Sequence, residues 1–113
     1  MSWNLLIYKN GPTPQKAESL GDIGVVTKAL NGEFPTLVWE TSTEAELPVH
    51  RGFSLSLRVE GGAVQDIYTN GGFDQIVQLA ALCKRQGWVL ADAQEGEDVD
   101  LNDPKGWYQE RNK

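Results

Sequence analysis

The chain has 113 residues, of which 40% are hydrophobic and 23% charged, and a formal net charge of −6 at pH 7. Length and composition fit one domain over residues 1–113 with one packed core, and exclude the low-hydrophobicity, high-charge signature of disorder. The acidic balance opposes a broad basic surface for nucleic acid or anionic lipid, so the partner to expect is a basic protein, with no nucleic acid and no membrane.

Cys83 is the single cysteine, which rules out an intramolecular disulfide and is too few for a cysteine-based zinc site; no cofactor is expected. Residues 1–8 lack a basic leader, a long apolar run and a small-residue cleavage site, and no stretch approaches the roughly 20 apolar residues of a membrane-spanning helix. Cytoplasmic residence is therefore the expectation.

Trp3 to Tyr8 reads as a first strand, stopped by Asn10, Gly11, Pro12 and Pro14, with a surface loop from Gly11 to Ser19. Ile23, Val26 and Leu30 recur at helical spacing, with Ser19 or Asp22 as a cap and Asn31-Gly32 as a stop. Gly24, Val25, Val26 and Thr27 are poor helix formers and also suit a strand. Leu37, Val38 and Trp39 suit a short strand, and Thr41 to Glu46 an exposed connection. From Phe53 to Glu60, Phe53, Leu55, Leu57 and Val59 alternate with polar residues, the period of a sheet with one wet face. Gly61-Gly62 reverses the chain into Val64, Ile67 and Tyr68, giving a hairpin closed by Asn70, Gly71 and Gly72.

Phe73 to Gln86 has helical periodicity through Phe73, Ile76, Val77, Ala80 and Cys83, widened by Leu79 and Leu82, and Gly87 is placed to end it. Trp88 to Ala91 reads as a final strand, and Gly96 as the turn of a small hairpin in an acidic C-terminal extension from about 92 to 113. The predicted fold class is α+β, with two helices on one face of a mainly antiparallel sheet of four to five strands in the ferredoxin-like order βα(β)ββαβ.

No residue pattern defines a catalytic site. His50, beside Arg51, has no Gly-x-Ser-x-Gly context and reads as a loop histidine, while Cys83 falls on the inner helical stripe and reads as core. Asp98, Asp100 and Asn102 copy the first ligand positions of an EF-hand loop. However, Asp103 stands where that loop needs glycine, Gln109 where it needs glutamate, and Pro104 and Gly106 oppose flanking helices. Gly61-Gly62 and Gly71-Gly72 lack the continuation of a phosphate loop. Trp3, Trp39 and Trp88 are assigned to the core. Trp107 and Tyr108 lie in the polar tail, where they serve either as partner anchors or as a cap folded back on the sheet.

The segments Ser2-Trp3-Asn4-Leu5, Ala29-Leu30 with Phe34-Pro35 and Trp39, and Gly87-Trp88 through Asp92 with Glu95-Gly96 and Val99-Asp100-Leu101 resemble a loose group of small uncharacterised bacterial proteins. The resemblance implies fold and bacterial origin, and carries over no functional residue. In size and acidity the chain is also similar to immunity proteins that neutralise bacterial toxins.

The function expected is non-enzymatic protein binding. Asp92, Glu95, Glu97, Asp98, Asp100 and Asp103, with Trp107 and Tyr108, would dock a basic partner. Two alternatives stand beside it: a small enzyme or ligand-binding domain with a pocket near His50 and Arg51, and a self-associating domain pairing through the exposed hairpin edge.

Overall fold

Residues 4–13, 16–48, 53–70 and 75–111 are described by the computed structural model. At their centre is the hairpin of β6 (Ser54–Glu60) and β7 (Ala63–Asn70), paired antiparallel from Ser54 opposite Asn70 to Glu60 opposite Ala63. Gly61 and Gly62 turn it with φ of 59° and 80°, the positive values a two-residue hairpin turn with right-handed strand twist requires. β1 (Asn4–Thr13) lies beside β7, and β8 (Val89–Asp92) beside β1, both antiparallel. On the far side of the hairpin β5 (Glu44–Glu46) pairs with β6, and β4 (Val38–Trp39) with β5.

The outer half of β1 pairs only with β2 (Lys16–Glu18), and β3 (Gly21–Asp22) takes the place beside the start of β7. The first strand thus runs on through Gly11 and Pro12, where a loop was expected. A register shift between Lys9 and Thr13 accommodates it, since proline is tolerated at sheet edges and bulges. Glu44 to Glu46 is likewise a strand rather than a plain connection: Ala45 is 3% exposed and its two acidic neighbours face solvent.

α1 (Ile23–Glu33) forms despite its glycines and β-branched residues. The Asp22 carboxylate accepts the Gly24 N–H at 2.9 Å, the Ile23 N–H reaches the Gly62 carbonyl at 3.1 Å, and Val26 and Leu30 are fully buried. Capping and burial outweigh a propensity deficit of about 1 kcal/mol per glycine. α2 (Ile76–Gln86) buries Ile76, Leu79, Ala80, Leu82 and Cys83, and Gly87 ends it in the left-handed conformation with φ 75°. Val77, assigned to the inner stripe, is instead 45% exposed. Trp3, Gly71, Gly72 and Phe73 lie outside the described residues.

A third helix, α3 (Pro104–Arg111), corrects the reading of the C-terminal extension as non-helical. Pro104 occupies its first position, where a missing N–H costs nothing, and the Asp103 carboxylate caps it by accepting the Gly106 N–H at 3.2 Å. Among the described residues, three helices and eight strands therefore replace the two helices and four to five strands expected; the α+β class and the antiparallel pairing hold.

Because strand side chains alternate, one face of the sheet carries Leu5, Ile7, Leu55, Leu57, Ile67 and Leu90, each 5% exposed or less, and packs with Val26, Leu30, Leu79 and Leu82 of the helices. Phe34 and Phe53 close one end with ring centroids 5.6 Å apart. The helices share this face, since α1 contacts α2 and α2 contacts α3. The hairpin expected to present a free edge is covered over much of its length: β1 and β3 lie beside β7, and β5 lies beside β6 over Ser54 to Ser56.

Candidate functional site

Past Trp88, 4% exposed, β8 delivers Leu90 to the core and then reverses. The Asp92 carbonyl accepts the Gly96 N–H at 2.7 Å, its N–H reaches the Glu97 carbonyl at 2.8 Å, and Gly96 supplies the turn with φ 72°. Residues 97–99 then run back along β8, with Asp98 opposite Ala91 and the Val99 N–H on the Leu90 carbonyl at 2.8 Å. Val99, 5% exposed, anchors this return from the inside. The small hairpin expected around Gly96 is therefore present, and it covers the β8 edge of the sheet.

The acidic residues assigned to partner binding divide into two groups. Asp92 is 2% exposed, and its carboxylate accepts the Gln94 N–H at 2.9 Å, so it shapes the turn from inside and leaves the docking surface. Glu95, Glu97, Asp98, Asp100 and Asp103 are exposed along the segment that returns beside β8 and leads into α3, which we call the ridge. Three of them are also fixed locally. Asp98 accepts the Tyr8 hydroxyl at 3.0 Å, Asp100 accepts the Asn102 N–H at 2.9 Å, and Asp103 caps α3. Lys84 of α2 donates to the Asn102 side-chain Oδ1 at 2.7 Å and ties the ridge to the helix layer. Burial, and then the Asp98 carboxylate, raise the Tyr8 phenol above its ordinary value of 10.0.

Trp107 and Tyr108 are half-buried on α3 and pack against the core with Leu101. Of their two possible roles, the cap folded onto the domain is the one the packing favours. Trp39 is also half-buried against the core, its indole N–H donating to Asn31 at 2.8 Å.

His50 and Arg51, the residues of the alternative pocket, lie outside the described residues. A wide-open groove of about 330 Å³ lies between the start of α1 and β4, lined by Ile23, Gly24, Thr27, Trp39, Thr41 and Ser42, with no titratable side chain in its wall. Burial pushes the Cys83 thiol up to about 12, which suits a core residue rather than a nucleophile. Among the described residues no group of three or more His, Cys, Asp or Glu side chains converges to hold a metal ion, and no helix is long and apolar enough to cross a membrane.

Sequence reading missed the second surface of the sheet. Leu6 and Tyr8 on β1 and Tyr68 on β7 point away from the core, and Tyr68 is 43% exposed. The signal available was their offset by one residue from Leu5, Ile7 and Ile67, which becomes informative only once strand register is known.

Comparison of the chain with protein-family models, with curated proteins and with solved structures returns no match.

Proposed function

We propose that this chain is a non-enzymatic protein-binding domain of the cytoplasm, using the ridge Glu95, Glu97, Asp98, Asp100 and Asp103 to dock a basic protein. The observation behind this reading is the ridge's pre-organisation. Its backbone is bonded to β8, and Asp98, Asp100 and Asp103 are fixed by hydrogen bonds, so little conformational entropy remains to be lost on binding. The net charge of −6 steers a cationic partner to it and raises the association rate, an effect that salt suppresses.

An immunity protein that neutralises a basic bacterial toxin is the concrete case, in keeping with the resemblance to small bacterial proteins. We further read β1, α1, β6, β7, α2 and β8 as a ferredoxin-like core, because its strands lie side by side as β8-β1-β7-β6, all antiparallel. β2 to β5 and α3 are additions to it.

The test titrates the chain with a cationic protein that copurifies with it at low salt; recovery of none would count against the reading. Calorimetry should give an affinity that falls about tenfold or more with rising salt. The variant Glu97→Gln/Asp98→Asn/Asp100→Asn, which leaves one acceptor oxygen on each side chain but removes three charges, should weaken binding and flatten the salt dependence. Unchanged affinity and salt slope in the variant would rule the ridge out.

A further inference from the structure

The sheet has a second face, and its register arranges that face in an ordered way. Asp98 lies opposite Ala91, Ala91 opposite Leu6, Leu6 opposite Tyr68, Tyr68 opposite Ser56, and Ser56 opposite Glu44. These six residues form one line across the strands, with a carboxylate at each end and, between them, buried Ala91, half-buried Leu6, exposed Tyr68 and the hydroxyl of Ser56. Five interstrand steps of about 4.8 Å make the line roughly 24 Å long.

Its chemistry is lopsided. At the Glu44 end, Glu40, Glu44, Glu46, Ser54 and Ser56 line a hollow of about 280 Å³. The only cation among the described residues of this face, Arg58, already holds Asp66 at 2.8 Å and Glu60 at 3.2 Å. Between the acidic ends, Tyr68 is held ready: the Asn4 side-chain amide donates to its hydroxyl at 2.6 Å, while Tyr8, beyond Leu6 on β1, donates to Asp98. An exposed aromatic fixed before contact loses little entropy on binding and makes a good anchor.

We propose that this face is the seat of a cationic amphipathic helix of the partner. Its apolar stripe lies on Leu6 and Tyr68, and lysines or arginines at its two ends reach Asp98 and the Glu44–Glu46 hollow. An extended segment would need unpaired backbone groups, which a sheet offers at its edges and not on its face; a helix brings its backbone already satisfied. At 1.5 Å per residue, about 16 residues span the line. The inference rests on the reading of the chain as a binder of basic proteins and names the element that the ridge steers into place.

The probe is a labelled 16-residue peptide with leucines at positions i, i+3, i+4 and i+7 and lysines elsewhere, compared with a shuffled peptide of the same composition, by fluorescence anisotropy at low salt. The striped peptide should bind at least about tenfold tighter than the shuffled one. Tyr68→Ala should cost about tenfold, and Ser56→Arg, which places bulk and positive charge in the line, at least as much. Glu97→Gln/Asp100→Asn, off the line, should cost only a few-fold through lost steering. Loss of binding in the ridge variant with Tyr68→Ala and Ser56→Arg unaffected overturns the sheet face and leaves the ridge as the docking site. Equal binding of the two peptides overturns the helix seat while leaving the ridge reading standing, and indifference to all three variants overturns both.

Discussion

Cys83 is fully buried in the helix layer, and desolvation alone lifts its thiol from the ordinary value of 9.0 to about 12. Between these values the unfolded chain releases a proton that the folded chain keeps. The stability associated with Cys83 is therefore complete below about pH 9 and is lost as pH climbs toward about 12, with a slope approaching 1.4 kcal/mol per pH unit. Tyr8, also raised, adds a decline of the same sign. Urea unfolding at a series of alkaline pH values should show a shallower decline for Cys83→Ala than for the native chain; parallel slopes would mean that the thiol ionises without unfolding. The inward placement of Cys83 was legible from helical spacing. That of Asp92 was not, because an acidic residue reads as solvated until its backbone position inside a turn is known, and Val77 shows the converse, an apolar residue that spacing alone could not keep out of the core.

At the scale of elements, α3 depends on a local balance between Asp103 and Gly106. A methyl group at Gly106 would run into the Asp103 carboxylate that caps the helix. Gly106→Ala should gain about 1 kcal/mol of helix propensity and lose a cap of similar worth, leaving stability nearly unchanged. In an Asp103→Ala background, where the cap is already gone, the same substitution should stabilise by about 1 kcal/mol. Denaturant unfolding of the four proteins gives this coupling directly; equal effects of Gly106→Ala in both backgrounds would deny the interference. The same local chemistry explains why sequence reading recovered the β6–β7 hairpin and α2 but not α3. Alternation from Phe53 to Glu60 and the glycine pair act over a few adjacent residues, whereas Pro104 and Gly106 are helix breakers in isolation and become start signals only when Asp103 is recognised as the cap. β2 and β5 were hidden for a different reason: three residues each, with Ala45 the one buried apolar group of β5, they are strands by virtue of neighbours far away in sequence.

Across the whole molecule, negative charge and surface ion pairs pull stability in opposite directions. The pairs Lys9–Glu18, Arg58–Asp66 and Arg85–Glu33 all have a solvent-exposed cation, and such pairs contribute about 0–1 kcal/mol each and weaken with salt. Against them stands repulsion among the ridge carboxylates within a net charge of −6, which salt relieves. If the ridge is held together for a partner's benefit, the second effect should win. Raising sodium chloride from about 0.01 M to about 0.3 M shortens the screening length from about 30 Å to under 10 Å and should raise Tm by a few degrees. Chloride is the suitable anion, since sulfate strengthens apolar burial on its own account. Glu97→Gln/Asp98→Asn/Asp100→Asn keeps the turn and bridge acceptors while removing half of the net charge, so its Tm at low salt should exceed the native one and its rise with salt should be smaller. A Tm that falls with salt would show that the ion pairs outweigh the repulsion, and an undiminished rise in the variant would place the repulsion elsewhere, with Glu40, Glu44 and Glu46 at the other end of the sheet as the next residues to neutralise.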